Sequence, residues 1–151
     1  MTGLRNYKAL KLIANDADDL KVLSACLQDA VAKMGDFAFL SDERRFVFVA
    51  NRFVWEAGAD HKVGPFARVR TGAHFNDVLS IKHHHLRTDA QDAVVELLAI
   101  RFDPGEDGGG AIVLDFAGGG AIRLDVESVN AQMADISDPW PTRSKPKHDG
   151  A

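Results

Sequence analysis

The run His83-His84-His85 is where residue type first points to chemistry. Imidazoles bind zinc and move protons near neutral pH, so three in succession invite a metal or acid-base reading. Geometry limits that reading. In a strand, His83 and His85 project to one face and His84 to the other, so two of the three can meet one ion and a third ligand must come from elsewhere. His74 or Asp77 supplies it only where the chain folds back. The favoured reading is an exposed strand end that holds no metal. His61 and His148 fall in an expected loop and an expected tail and are poorer candidates.

Other residues are weighed the same way. The triplets Gly108 to Gly110 and Gly118 to Gly120 resemble phosphate-cradling loops in composition, but each leads into a strand and no Walker-type lysine follows, so both are read as turns. Asp115 and Asp125 lie opposite one another if the hairpin closes across the glycine triplet in a register that pairs them, which would let them share a proton or a cation. Charge pairing with Arg123 on a solvated face is the preferred account. Cys26 is expected to be a small buried hydrophobe, with no base placed beside it. Arg44, Arg45, Arg52 and Trp55, with Lys62, Arg68 and Arg70, would form a basic face for an anionic partner if neighbouring strands aligned them. A scattered, solvated set is preferred, because the net charge is −4. No catalytic residue is identified, and no cofactor is expected.

The elements that must position these residues follow from periodicity. Ile112, Leu114 and Phe116, then Ile122, Leu124 and Val126, alternate with Val113, Asp115, Arg123 and Asp125 on either side of the second glycine triplet. That is a β-hairpin with one buried face, unstable unless the rest of the fold covers it. Val94 to Phe102 alternates and precedes it, so three consecutive antiparallel strands are expected. Further strands are read at Tyr7 to Ile13, Phe37 to Leu40, Phe46 to Trp55, Phe66 to Arg70 and Val78 to Leu86, with bends at Gly72 and Asn76-Asp77. In the Phe46 to Trp55 strand, the half bearing Asn51 and Arg52 is expected to approach the surface. Asn15 or Asp16 caps a helix whose stripe is Leu20, Leu23, Leu27 and Ala30, and Gly35 ends that pattern. Glu56 to Pro65 reads as a loop. Past Val126, the spacing of Val129, Met133 and Ile136 fits a strand or a helix equally.

The predicted fold is α+β: a strongly curved antiparallel sheet of about seven strands, close to a small barrel similar to pleckstrin-homology-like barrels, with one or two packed helices. Residues 1–137 form the domain, and 138–151, with Pro139, Pro141 and Pro146, an extended or disordered tail in which Trp140 can dock on the body. With 151 residues, 46% apolar and 26% charged, one soluble core is expected. The acidic balance argues against nucleic acid, no stretch is long enough to span a bilayer, and the single cysteine fits the cytoplasm.

The segments Asp19 to Ala25, Gln28 to Val31, Glu43 to Phe46, Asn51 to Phe53 with Trp55-Glu56, Leu97 to Phe102 and Ala117 to Leu124 together resemble a bacterial family of unknown function, domain of unknown function 2948. The similarity runs to about Trp140 and implies no activity, cofactor or catalytic residue. The triple histidine is not part of the family pattern. The expected function is a cytoplasmic binding or interaction module without catalytic activity, for a protein or small ligand, with self-association through a strand edge or apolar patch as one form of that role. The alternatives are a small enzyme whose site is assembled from loops with His83 and His85, and a metal-responsive regulator.

Overall fold

Alternation of apolar and polar side chains dominates this chain, and strands are what it builds. The computed structural model describes residues 7–55 and 66–142. In chain order the elements are β1 (Lys11–Ala14), α1 (Ala17–Leu27), β2 (Val31–Lys33), β3 (Phe37–Leu40), β4 (Arg45–Phe53), β5 (Phe66–Phe75), β6 (Val78–His84), β7 (Val94–Pro104), β8 (Gly110–Phe116), β9 (Ala121–Val126), β10 (Ala131–Asp135) and β11 (Trp140–Thr142). Short 3-10 turns, Met34–Asp36 and Ser41–Glu43, flank β3. The loop read over Glu56 to Pro65 lies outside the described residues, with His61 and Lys62 in it, as do His148 and the tail from 143 onward.

All strand pairs are antiparallel, in the order β1-β10-β5-β4-β2-β7-β8-β9-β6, with β11 on β5 and β3 on β4. The β7-β8-β9 meander stands where the sequence placed it. The barrel does not: among the described residues, eleven strands form the sheet rather than about seven, and the sheet is not closed. The extra strands include β2 and β11, of three residues each, too short to display a period. The segment left open between strand and helix is the strand β10, because Ala131 and Met133 bury one face between β1 and β5. β5 runs straight through Gly72, which pairs with Val49 and Ala134, so the only bend here is at Asn76-Asp77, where Asp77 takes φ 59.

One apolar cluster joins the two halves of the sheet. Phe46, Phe48 and Phe75 of β4 and β5 share it with Ile112, Leu114, Phe116, Ile122 and Leu124 of the hairpin. Phe37 stacks on Phe48 at 5.1 Å and meets Phe116 edge-on at 5.8 Å, tying β3 to both. Each large apolar side chain buried here stabilises by roughly 1.5–3 kcal/mol. The hairpin reverses at Gly118 and Gly119, whose φ of 87 and 92 suits glycine alone among common residues.

Helix α1 covers this core with Leu20, Leu23 and Leu27. Its start is capped as expected: the Asp16 carboxylate accepts from the Asp19 N–H at 2.8 Å. Asp16→Ala is therefore expected to cost about 1 kcal/mol in urea denaturation, with an unchanged m value. The helix ends at Leu27 rather than at Gly35, because Asp29 takes a left-handed φ of 65 and its N–H pairs with Leu97 at 2.7 Å, steering the chain into β2. Among the described residues, no helix is long and apolar enough to cross a membrane.

Candidate functional site

The failure of the sheet to close creates the site. Strand β3 pairs only with β4, and β6 only with β9, among the described residues. At one end β6 meets the turn that follows β3, where the Val78 N–H donates to the Arg44 carbonyl at 2.9 Å. Toward the other end the two strands stand on either side of a cleft of about 240 Å³ lined by Phe37, Ala38 and Phe39 of β3 and by Ile81 and His83 of β6, above Phe46 and Ile122. Met34, Thr88 and Gln91 complete the mouth.

The register shows which backbone groups face this cleft. The Val54 N–H donates to the Ala67 carbonyl, so along the β4-β5 ladder Phe46 and Phe48 turn their backbone groups to β5, while Arg45 and Val47 turn theirs to β3. Leu40 and Ala38 answer them, which leaves the N–H and C=O of Phe39 directed away from β4. On the opposite wall the Phe116 N–H donates to the Gly120 carbonyl, so Ile122 and Leu124 face β8 while Ala121 and Arg123 face β6. Their partners His84 and Lys82 face back, and the backbone groups of Ile81 and His83 point outward. No bond to the described residues takes up these outward groups.

The mouth is held by backbone pairing. The Gly35 N–H donates to the Gln91 carbonyl and the Met34 N–H to the Ala93 carbonyl, both at 2.9 Å, while Gln91 Nε2 donates to the Thr88 carbonyl at 3.2 Å. A Cβ on Gly35 would lie 2.8 Å from Gln91 Oε1 and 3.1 Å from its carbonyl, so glycine permits this close approach.

The histidines are exposed at the end of β6, but they do not keep the face alternation that the spacing predicts. His85 takes φ 52 at the end of β6, which breaks strand alternation and brings its ring to 3.8 Å from that of His84. His83 is left alone on the cleft. His74 sits on β5 between Val47 and Gln132, where burial and the nearby Arg45 hold its pKa below the usual imidazole value. Asp77 accepts from Ser128 and Asn130. No group of three or more His, Cys, Asp or Glu side chains among the described residues is placed to hold a metal ion.

Asp115 and Asp125 are not opposed either. The hairpin register sets Asp115 against Ala121 and Asp125 against Ala111. Asp115 accepts from Arg101 Nε at 2.8 Å, and Asp125 from Ser80 at 3.0 Å and Arg123 at 3.3 Å, so both belong to charge pairs on the outer face. Cys26 is half-buried against the main core.

The basic face is dispersed. Arg44 pairs with Glu127, Arg45 with Asn76, and Arg70 approaches Asp36 at 3.9 Å. Arg68 donates to the carbonyls of Asn51 and Asp29, and its partial burial lowers its pKa against the pull of Glu96 and Asp29. Arg52 overturns the expectation most clearly. Its side chain is fully buried, with Nε and Nη2 donating to Asp135 at 2.8 Å each. Tyr7, Thr71 and the Leu10 N–H also donate to that carboxylate at 2.8 Å. Nothing near Arg52 in the sequence announces this partner, which lies on β10.

A shallower hollow of about 300 Å³ lies between Leu10, Val22, Ala25, Cys26 and Trp55. It offers no charged side chain. The carboxylate with a strongly lowered pKa, Asp135, is in the core beside β5, and the β3-β6 cleft has no carboxylate in its lining. An acid-base pair with His83 is therefore not assembled there among the described residues.

Compared with known proteins, residues 10–148 match the family described as protein of unknown function (DUF2948). No curated protein and no solved structure matches the chain.

Proposed function

The chain belongs to the DUF2948 family of proteins of unknown function, and from that premise we propose that it is a cytoplasmic binding module without catalytic activity, whose ligand lies in the cleft between β3 and β6. The observation that carries this reading is the cleft's composition. Phe37, Phe39, Met34, Ile81 and Ile122 supply apolar contact, and His83, Thr88 and Gln91 place a few polar groups at the mouth. Such a site holds a ligand by burial and orients it by hydrogen bonds. It does not set a nucleophile beside a base.

Titration of the 15N-labelled protein with indole, a small neutral aromatic probe, tests this. The expected result is saturable amide shifts centred on Phe39, Ile81 and Ile122, weakened at least about fivefold in an Ile81→Asn variant that keeps its far-ultraviolet circular dichroism. Shifts scattered over the surface, or an unaffected Ile81→Asn variant, would reject the reading.

A further inference from the structure

We propose, building on the binding-module reading, that the occupant of the β3-β6 cleft is an extended acidic peptide segment that joins β6 as an added strand. Two independent observations converge on that partner. The first is the backbone: the N–H and C=O groups of Ile81 and His83 on one wall, and of Phe39 on the other, point into the cleft. An extended peptide is the ligand that satisfies successive strand-edge donors and acceptors, with alternate side chains reaching the apolar floor.

The second is charge. From Val78 to Arg87 the chain carries Lys82, His83, His84, His85 and Arg87 and no acidic residue, although the whole chain is net −4. All five of these side chains are exposed. Lysine on an edge strand is also a device against edge-to-edge association, and it has that consequence here. Two copies of β6 paired about a twofold axis would bring the Lys82 ammonium of each copy toward that of the other. The same charge that discourages a second copy favours a strand bearing Asp or Glu on its solvent face.

Three pools of synthetic heptapeptides test the inference on the full chain. In each, Val, Ile and Phe alternate with a second residue type: Asp/Glu, Lys/Arg or Ser/Thr. The acidic pool is expected to bind at least about tenfold more tightly than the basic pool, since several exposed cross-strand charge pairs change sign together. The first amides to shift should be Phe39, Ile81 and His83. A Lys82→Glu/Arg87→Glu variant, altered only at exposed positions, should reverse the preference. Equal affinity for the three pools, shifts centred elsewhere, or light scattering that shows a dimer joined through β6 would each overturn the inference. If indole occupies the cleft and no peptide pool does, the strand inference fails while the binding-module reading stands. If indole also fails, both fall.

Discussion

Replacement of Asp135 by asparagine is expected to cost the fold about 3–5 kcal/mol in urea denaturation. The carboxylate and Arg52 are both fully buried, and the pair spans β10 and β4 across β5. An amide of the same shape removes the charge opposite Arg52 and turns an NH₂ toward one set of donors, either Tyr7 and the Leu10 N–H at the Oδ2 position or Thr71 at Oδ1. Replacing the pair with apolar residues is a remedy for some buried ion pairs. Here it would leave those three donors without their acceptor, so Arg52→Met/Asp135→Leu should remain well below the wild type in stability. The pH dependence has a definite sign. Burial alone raises the Asp135 pKa, but hydrogen bonds from Arg52, Leu10 and Tyr7 and the charge of Arg52 outweigh it and hold the pKa at about 2, below the ordinary 3.8. The folded form therefore binds this proton less readily than the unfolded chain. The contribution is fully present above about pH 4 and is lost as pH falls through about 2, amounting to about 2 kcal/mol. The Asp135→Asn variant should lack that part of the acid-induced loss.

Leu114→Ala should be comparably severe, at about 2–5 kcal/mol. Leu114 is fully buried between Ile100 and Ile122 in the register of the meander, within the cluster that unites both halves of the sheet. The cost joins lost transfer free energy to an unfilled cavity in close-packed surroundings. Leu98 is the control, because it lies on β7 but is 40% exposed. Leu98→Ala should change stability by no more than about 0.5 kcal/mol. Denaturation midpoints of the two variants, compared at equal m value, check the contrast.

The sequence was most legible where one side-chain period ran long enough to be counted. The hairpin arms, β7 and the Leu20, Leu23, Leu27 stripe stand as read, and Asp16 is the cap. Strands of three residues cannot show a period, so β2 and β11 were invisible or folded into other segments. Partners distant in sequence were equally hidden. Arg52 looks like a surface cation until Asp135 is brought to it from β10, 83 residues away. The His83 to His85 pattern failed for a local reason, since a left-handed residue at the strand end cancels the alternation on which the face assignment rested. Of the candidate site, His83 was named for its chemistry, while Phe37, Phe39 and Ile81 only fell within segments read as strands. What makes them a site is the absence of a β3-β6 pairing among the described residues, and strand pairing depends on the whole topology.

Amide hydrogen exchange by NMR on the full-length protein tests the open seam most directly. The account predicts fast exchange at Phe39, Ile81 and His83 beside strong protection at Ala38, Leu40, Lys82 and His84, alternating residue by residue along both edges. Protection of Phe39, Ile81 and His83 equal to that of their neighbours would mean that β3 and β6 are paired and the cleft is closed.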